Sequence, residues 1–287
     1  MKTASHLKAG LFASLLLVAI VGCGKPKSEV QSLENALPPD FTMPLTLPPG
    51  ARLLELVRLP GNDTIQPFLI GKYEVTQAQY ESVMGNNPSA FKSGPDYPVE
   101  TVNWTEANAF CQKLTAALTE PLEGKAAFRL PTDAEWSLAA GLSREDGRTP
   151  KEKDFGVKDA YPWGMQWPPP SGAGNYYDAA ARQKHSEGDF IEAYNDGYPD
   201  TSPAGVFKPN EFGLYDLGGN VWEWCEDGYD DKGDTRVLRG ASWRTGERDR
   251  LLSSRRLDGP PEARGAYVGF RVVLASPAPS PHTDTPR

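Results

Sequence analysis

From Gly141 to Asn210 the chain is crowded with Gly, Pro, Asp, Asn and Tyr and has few apolar runs, so it lacks the periodicity of either helix or strand. A structureless stretch of this length is uncommon inside a folded protein unless something binds or pins it. The chain is therefore expected to fold as irregular loops held on a small frame. Metal ions are one economical pin.

The frame is legible on either side of that stretch. Leu53 to Leu59 alternates as a strand, and Phe68 to Val75 reads as a second strand with a glycine kink. Thr76 is placed to cap a helix running through Val83, which Asn86-Asn87-Pro88 ends. A second helix opens at Trp104 with Thr105 as its cap. A third begins near Pro131, where Thr132 and Glu135 have the spacing of a capping box. Strand signals return at Arg236 to Arg239 and at Val268 to Leu274.

The ends have a different character. Residues 1–22 combine a basic start (Lys2, Lys8) with an apolar run from Leu11 to Val21 that is short for a membrane span, which fits an export signal. Ile20-Val21-Gly22 before Cys23 matches a bacterial lipobox, so Cys23 is the expected lipidation site. Several acyl chains there, at about 0.8 kcal/mol per buried methylene, would hold the protein at a membrane surface. With no Asp beside Cys23, a Gram-negative host would place it on the periplasmic side of the outer membrane. Residues 23–50, rich in Pro and short polar runs, read as an extended tether, residues 51–275 as one domain, and residues 276–287 as a disordered tail.

The formal net charge is −8, and loss of the leader, with two lysines and no acid, takes it to −10. Such a surface repels phosphate backbones and argues against nucleic acid as a partner. Once Cys23 is acylated, Cys111 and Cys225 remain, either as one disulfide or as two separately buried thiols.

The stretch EFGLYDLGGNVWEWC at 211–225 sets two carboxylates, Asp216 and Glu223, around a glycine-rich turn and a Trp pair. With IGKYEVTQAQY (70–80), YPVETVNWTEANAFCQKL (97–114), FRLPTDAEWSLAA (128–140), YPWG (161–164), GNYYD (174–178), RVLRGASW (236–243) and GFRVV (269–273), it resembles the formylglycine-generating enzyme family, also called sulfatase-modifying factors. The motifs stand in family order from about Leu53 to Leu274. One departure is the usual GGxFxMG segment, reduced here to LVRLPGNDTIQPF. The resemblance implies an α+β fold, a single loop-rich domain with little regular structure, distantly related to C-type lectins.

The resemblance also implies calcium. One site would use the side chains of Asp216 and Glu223 with the carbonyls of Gly219 and Val221. A second would use Asn175 and Asp196 with the carbonyls of Tyr176 and Tyr198. Calcium takes six to eight oxygens and accepts backbone carbonyls from bent loops. The same acids could simply cap turns.

Family enzymes hold copper between two thiolates spaced five apart, the first three residues beyond the serine of a GGS-type motif, and use it with dioxygen to oxidise a substrate cysteine. Anchored on Gly240-Ala241-Ser242-Trp243, those positions are Thr245 and Arg250. A hydroxyl and a guanidinium cannot replace soft thiolates for Cu(I). No copper and no catalytic residues are expected.

Of three histidines, His6 lies in the leader and His282 in the tail, which leaves His185, read as a solvated loop residue. That count excludes a three-histidine metal site and weakens any Ser-His-Asp hydrolase or zinc peptidase. Arg244, Arg248, Arg250, Arg255 and Arg256 are interleaved with Glu247 and Asp249. They form either an internal salt-bridge lattice or, as the resemblance implies for this position, a groove with Trp222 and Trp243 whose guanidinium groups would suit an anionic or carboxylate-terminated peptide. The expectation is a lipid-anchored envelope protein that binds or scaffolds another envelope protein or peptide. The alternative is a non-standard oxidase, or a protein- or pigment-modifying enzyme, using other residues in the same groove.

Overall fold

Phe68, Leu69 and Ile70 have no solvent exposure, and their side chains alternate between two separate apolar clusters, Leu69 in one and Phe68 with Ile70 in the other. A continuous apolar run can do this only as a strand buried on both faces. The computed structural model describes residues 37–276 except Glu120, Pro121, Ser143 and Glu187. The expected leader, Cys23 and nearly all of the expected tail lie outside the described residues.

In chain order the elements are β1 (Asp40–Met43), β2 (Leu54–Leu59), β3 (Phe68–Gly71), α1 (Gln77–Met84), α2 (Trp104–Ala116), β4 (Ala127–Arg129), α3 (Asp133–Ala139), α4 (Pro150–Lys153), α5 (Ala179–Lys184), β5 (Trp222–Gly228), β6 (Arg236–Arg239), a 3-10 turn (Arg248–Leu251), β7 (Arg256–Gly259), β8 (Val268–Gly269) and β9 (Val273–Ala275). One sheet has the order β1-β2-β3-β9-β4 and the other β7-β6-β5-β8. All pairings are antiparallel except β5 with β8. This is the expected α+β architecture.

Three helices begin in complete capping boxes: Thr76 with Gln79, Asn103 with Glu106, and Thr132 with Glu135. The first and third match the sequence reading. The second corrects it, because the cap is Asn103 and not Thr105: Asn103 Oδ1 accepts from the Glu106 amide at 2.9 Å and Glu106 Oε2 accepts from the Asn103 amide at 3.2 Å. Gly85, at φ 83°, ends α1 before the Asn-Asn-Pro signal is reached.

Two other expectations change. The stretch from Val268 to Leu274 is not one strand but two, β8 and β9, in different sheets. Between them the Arg271 side chain is fully buried and bonded to the other sheet, which turns the chain from one sheet to the other. The segment read as tether also contributes to the fold: β1 pairs along β2, and Leu37 and Met43 are buried in the core. Its apolar residues were masked in sequence by the surrounding prolines.

Cys111 and Cys225 are both free, buried, and members of different apolar clusters. Burial pushes both thiols above their ordinary range, as suits two separate core residues. Among the described residues no helix is long and apolar enough to cross a membrane.

Candidate functional site

The turn before β5 is the junction of the molecule. Asp216, Gly219 and Asn220 all adopt positive φ, 54°, 87° and 57°. At Gly219 a Cβ would lie 2.2 Å from the Asn175 carbonyl oxygen, so no other residue fits there. This close approach brings Asn220 into the interior, where it ties together four stretches of chain. Its amide donates to Asn175 O at 2.8 Å. Its Nδ2 donates to Glu74 Oε2 at 2.6 Å, and its Oδ1 accepts from the Ser202 amide at 3.0 Å and from Asn175 Nδ2 at 3.3 Å.

Three buried carboxyls, Glu74, Asp216 and Glu223, surround this turn with one guanidinium, Arg271, among them. Arg271 meets Glu223 in a bidentate pair at 2.6 and 2.7 Å, and Trp136 Nε1 adds a third bond to Glu223 at 2.8 Å. Both Glu223 oxygens are thus occupied. Asp216 has no such pair: Oδ2 accepts from the Gly205 amide at 2.6 Å, and Oδ1 is buried without a partner among the described residues. Burial pushes Asp216 up to about 6. Burial, together with Asp216 and Glu223, holds Glu74 well above the usual carboxylate range.

The second expected set also comes together. Asp196 accepts from the amides of Tyr176 at 2.9 Å and Tyr198 at 2.8 Å, and burial pushes its carboxyl up to about 7. Asn175 donates from Nδ2 to Asp200 O at 2.8 Å, and its Oδ1 is buried without a partner. Asp178 completes the pin by capping α5 and accepting from the Asp196 amide. Side-chain bonds of this kind hold much of the long irregular stretch.

The residues fit calcium in an uneven way. Among the described residues Asp216 Oδ1 and Asn175 Oδ1 are acceptor oxygens buried without a donor, the condition a hard cation relieves. Glu223 would have to share oxygens already held by Arg271 and Trp136. Among the described residues no group of three or more His, Cys, Asp or Glu side chains is arranged for a metal, so carbonyls would have to complete either set.

At the positions implied for the copper thiolates, Thr245 is buried and its Oγ1 accepts from the Ser242 amide at 3.2 Å, while Arg250 is exposed and lies 3.6 Å from Glu247. The neighbouring arginines divide. Arg248 donates to the Tyr161 hydroxyl and to Asp159, both at 2.8 Å, Arg255 pairs with Asp154, and Arg256 is buried between Asp133 and Glu145. Arg244 is exposed, and among the described residues only its amide is bonded, to Ser242 Oγ at 3.3 Å. Most of the cluster is lattice.

Trp222 and Trp243 are core residues, 5% and 3% exposed. Trp243 meets Phe91 edge-on at 5.6 Å and the His185 ring at 5.1 Å. His185 is therefore not a solvated loop residue: it is half-buried, and its Nε2 lies 2.8 Å from Asp200 Oδ1. Glu74, Asn220 and Arg271 escaped the sequence reading as site residues. Each sits inside a quoted motif, but only the fold brings the three together.

Residues 43–276 match the family described as the sulfatase-modifying factor enzyme 1-like domain. The chain is similar to a protein named chaperone protein LppX of Paenibacillus barcinonensis, 32% identical over 63% of this chain and 71% of that one. It is similar to the inactive Cα-formylglycine-generating enzyme 2 of Bos taurus, 33% identical over 67% of this chain and 54% of that one. It is also similar to the formylglycine-generating enzyme of Thermomonospora curvata, 29% identical over 64% and 58%. The chain thus spans little more than half the length of the last two. Among solved structures, Treponema denticola variable protein 1 shares the fold with a TM-score of 0.56 and 27% identity, over 84% of this chain and 100% of that one.

Proposed function

Because the chain belongs to the sulfatase-modifying factor enzyme 1-like family, a family that holds both an enzyme and a relative named inactive, we propose that it is a non-catalytic binding or scaffold protein. One observation supports this most directly. Where the resemblance implies two thiolates, a buried Thr245 is spent on Ser242 and an exposed Arg250 faces Glu247. The two cysteines of the domain are buried elsewhere and cannot move to that position without unfolding the core. A relative named a chaperone is consistent with work done by holding another protein.

The partner in this reading is an envelope protein or peptide. Export through residues 1–22 and acylation at Cys23 would bring the domain to it. Structural calcium, held by Asn175 and Asp196 with the Tyr176 and Tyr198 carbonyls, and by Asp216 with Gly219, Val221 and a shared Glu223, would supply positive charge to buried oxygens that lack it.

The test is to load the purified protein with Cu(I) and offer a cysteine-containing peptide under air. Neither stoichiometric high-affinity copper nor aldehyde is expected. Finding either would overturn the scaffold reading. Crosslinking in the native envelope would then identify the partner, and the mass of the mature N-terminus would report the acyl chains.

A further inference from the structure

Two stretches of chain run backbone against backbone through the interior. A Cβ on Gly174 would lie 2.6 Å from the Gly218 carbonyl oxygen, as one on Gly219 would lie 2.2 Å from that of Asn175. Beside these contacts the Asn220 amide donates to Asn175 O at 2.8 Å, and Asn175 Nδ2 donates to Asn220 Oδ1 at 3.3 Å. Packed this closely, neither stretch has room to shift without the other.

The junction joins the two residue sets proposed above for calcium. Asn175 supplies a side-chain oxygen to one set and stands next to Tyr176, one of its carbonyls. Asn220 stands between Gly219 and Val221, the carbonyls of the other set. Asn220 belongs to neither: it is fully buried, its Oδ1 accepts from the Ser202 amide and Asn175 Nδ2, and its Nδ2 donates to Glu74. Asn175 is the hinge between them. Its Nδ2 is bonded to Asp200 O and Asn220 Oδ1, while its Oδ1 has no partner among the described residues. A cation at Oδ1 would fix the plane of the amide and polarise it, which strengthens Nδ2–H as a donor to Asn220.

The sets differ in the charge that would meet a cation. Around Asp216 stand two guanidiniums, Arg271 and Arg52, beside the carboxyls of Glu74 and Glu223. Asp196 has a second carboxylate, Asp178, beside it, and among the described residues no guanidinium is bonded to either. Like charges in a buried site repel strongly, so the Asn175–Asp196 set holds a cation more tightly than the Asp216 set.

We propose that the two sets fill in order and are coupled through Asn220. Calcium binds first at Asn175 and Asp196. The Asn175 amide, once fixed, holds the Asn220 turn in the shape that the Asp216 set requires, and the second ion binds more tightly for it. This inference rests on the calcium reading above and adds to it an order of filling and a positioning role for Asn220.

The experiment is calorimetric titration of the chelator-treated full chain with calcium chloride, on the wild type and on Asp196→Asn, Asp216→Asn and Asn220→Ala. The wild type should take two ions in two steps. Asp216→Asn should keep the first step at its wild-type affinity and lose the second. Asp196→Asn should lose the first and leave the remaining site about tenfold or more weaker than the wild-type second step. Asn220→Ala should keep both ions and the first affinity while the second step weakens about tenfold; general damage to the fold would weaken both steps, and circular dichroism would report it. If Asn220→Ala does not fold, the Asp196→Asn comparison decides. A wild type that binds no calcium removes the calcium reading and the coupling together. A single ion, a second step indifferent to Asp196→Asn, or a first step lost in Asp216→Asn overturns the ordered coupling and leaves calcium standing.

Discussion

Arg256 shows how much of the apparent binding surface is internal. It is fully buried and bonds both oxygens of Asp133, at 3.1 and 2.9 Å, as well as Glu145, while Arg239 reaches Asp133 from another strand. Removing one partner leaves two buried carboxylates with too little positive charge. Arg256→Leu is expected to cost about 3–5 kcal/mol in urea unfolding at neutral pH. The same pairs set an acid limit. Burial would raise Asp133 and Glu145, but their arginines outweigh it and hold both carboxyls below the ordinary carboxylate range. With the folded pKa depressed, their contribution is present above the unfolded values of about 4 and is lost as pH falls through the lower folded ones. Unfolding measured from pH 7 to 3 should therefore show stability falling steeply only below about pH 4. Equal slopes in the wild-type and Arg256→Leu proteins would sink this account.

The elements separate what a sequence states from what only packing decides. Thr76 and Thr132 were readable because a hydroxyl, an amide-bearing or acidic partner three residues on and an apolar run fall within one turn. Asn103 was missed because Trp104-Thr105-Glu106 offers a nearer hydroxyl, and the choice rests on where the Trp104 indole goes: its Nε1 donates to Cys225 O at 2.8 Å, which fixes Trp104 inside the helix. Asn103→Ala should cost about 1 kcal/mol and Thr105→Ala less than about 0.5 kcal/mol in thermal or urea melts. The reverse order would return the cap to Thr105. β1 and the division of β8 from β9 were illegible for a related reason. Strands of two to four residues carry no period, and their register is set by partners far away in the chain.

At the scale of the whole molecule, the charge balance around the residues expected for calcium was not visible in the sequence. Neither Glu74 nor Arg271 announces that it will face Asp216 across buried space. If calcium completes these sets, chelation should lower Tm by on the order of 5–10 °C, since about 100-fold excess over Kd contributes about 2.7 kcal/mol and a domain of this size shifts roughly 2–4 °C per kcal/mol. An unchanged melting curve, with metal analysis free of calcium, would remove both sites. Asn175→Ala should reduce the chelator effect while leaving the protein folded, which circular dichroism would report.

The passage from β8 through Arg271 to β9 couples the opening of the two sheets. One short run of chain is hydrogen-bonded into both sheets, and its guanidinium bonds Glu223 of one and Gly71 O of the other. Neither sheet can open without drawing this run away from its companion. Native-state amide exchange should therefore find β3, β5, β8 and β9 protected to the same free energy and released in a single subglobal event, while the surface loops exchange earlier and independently.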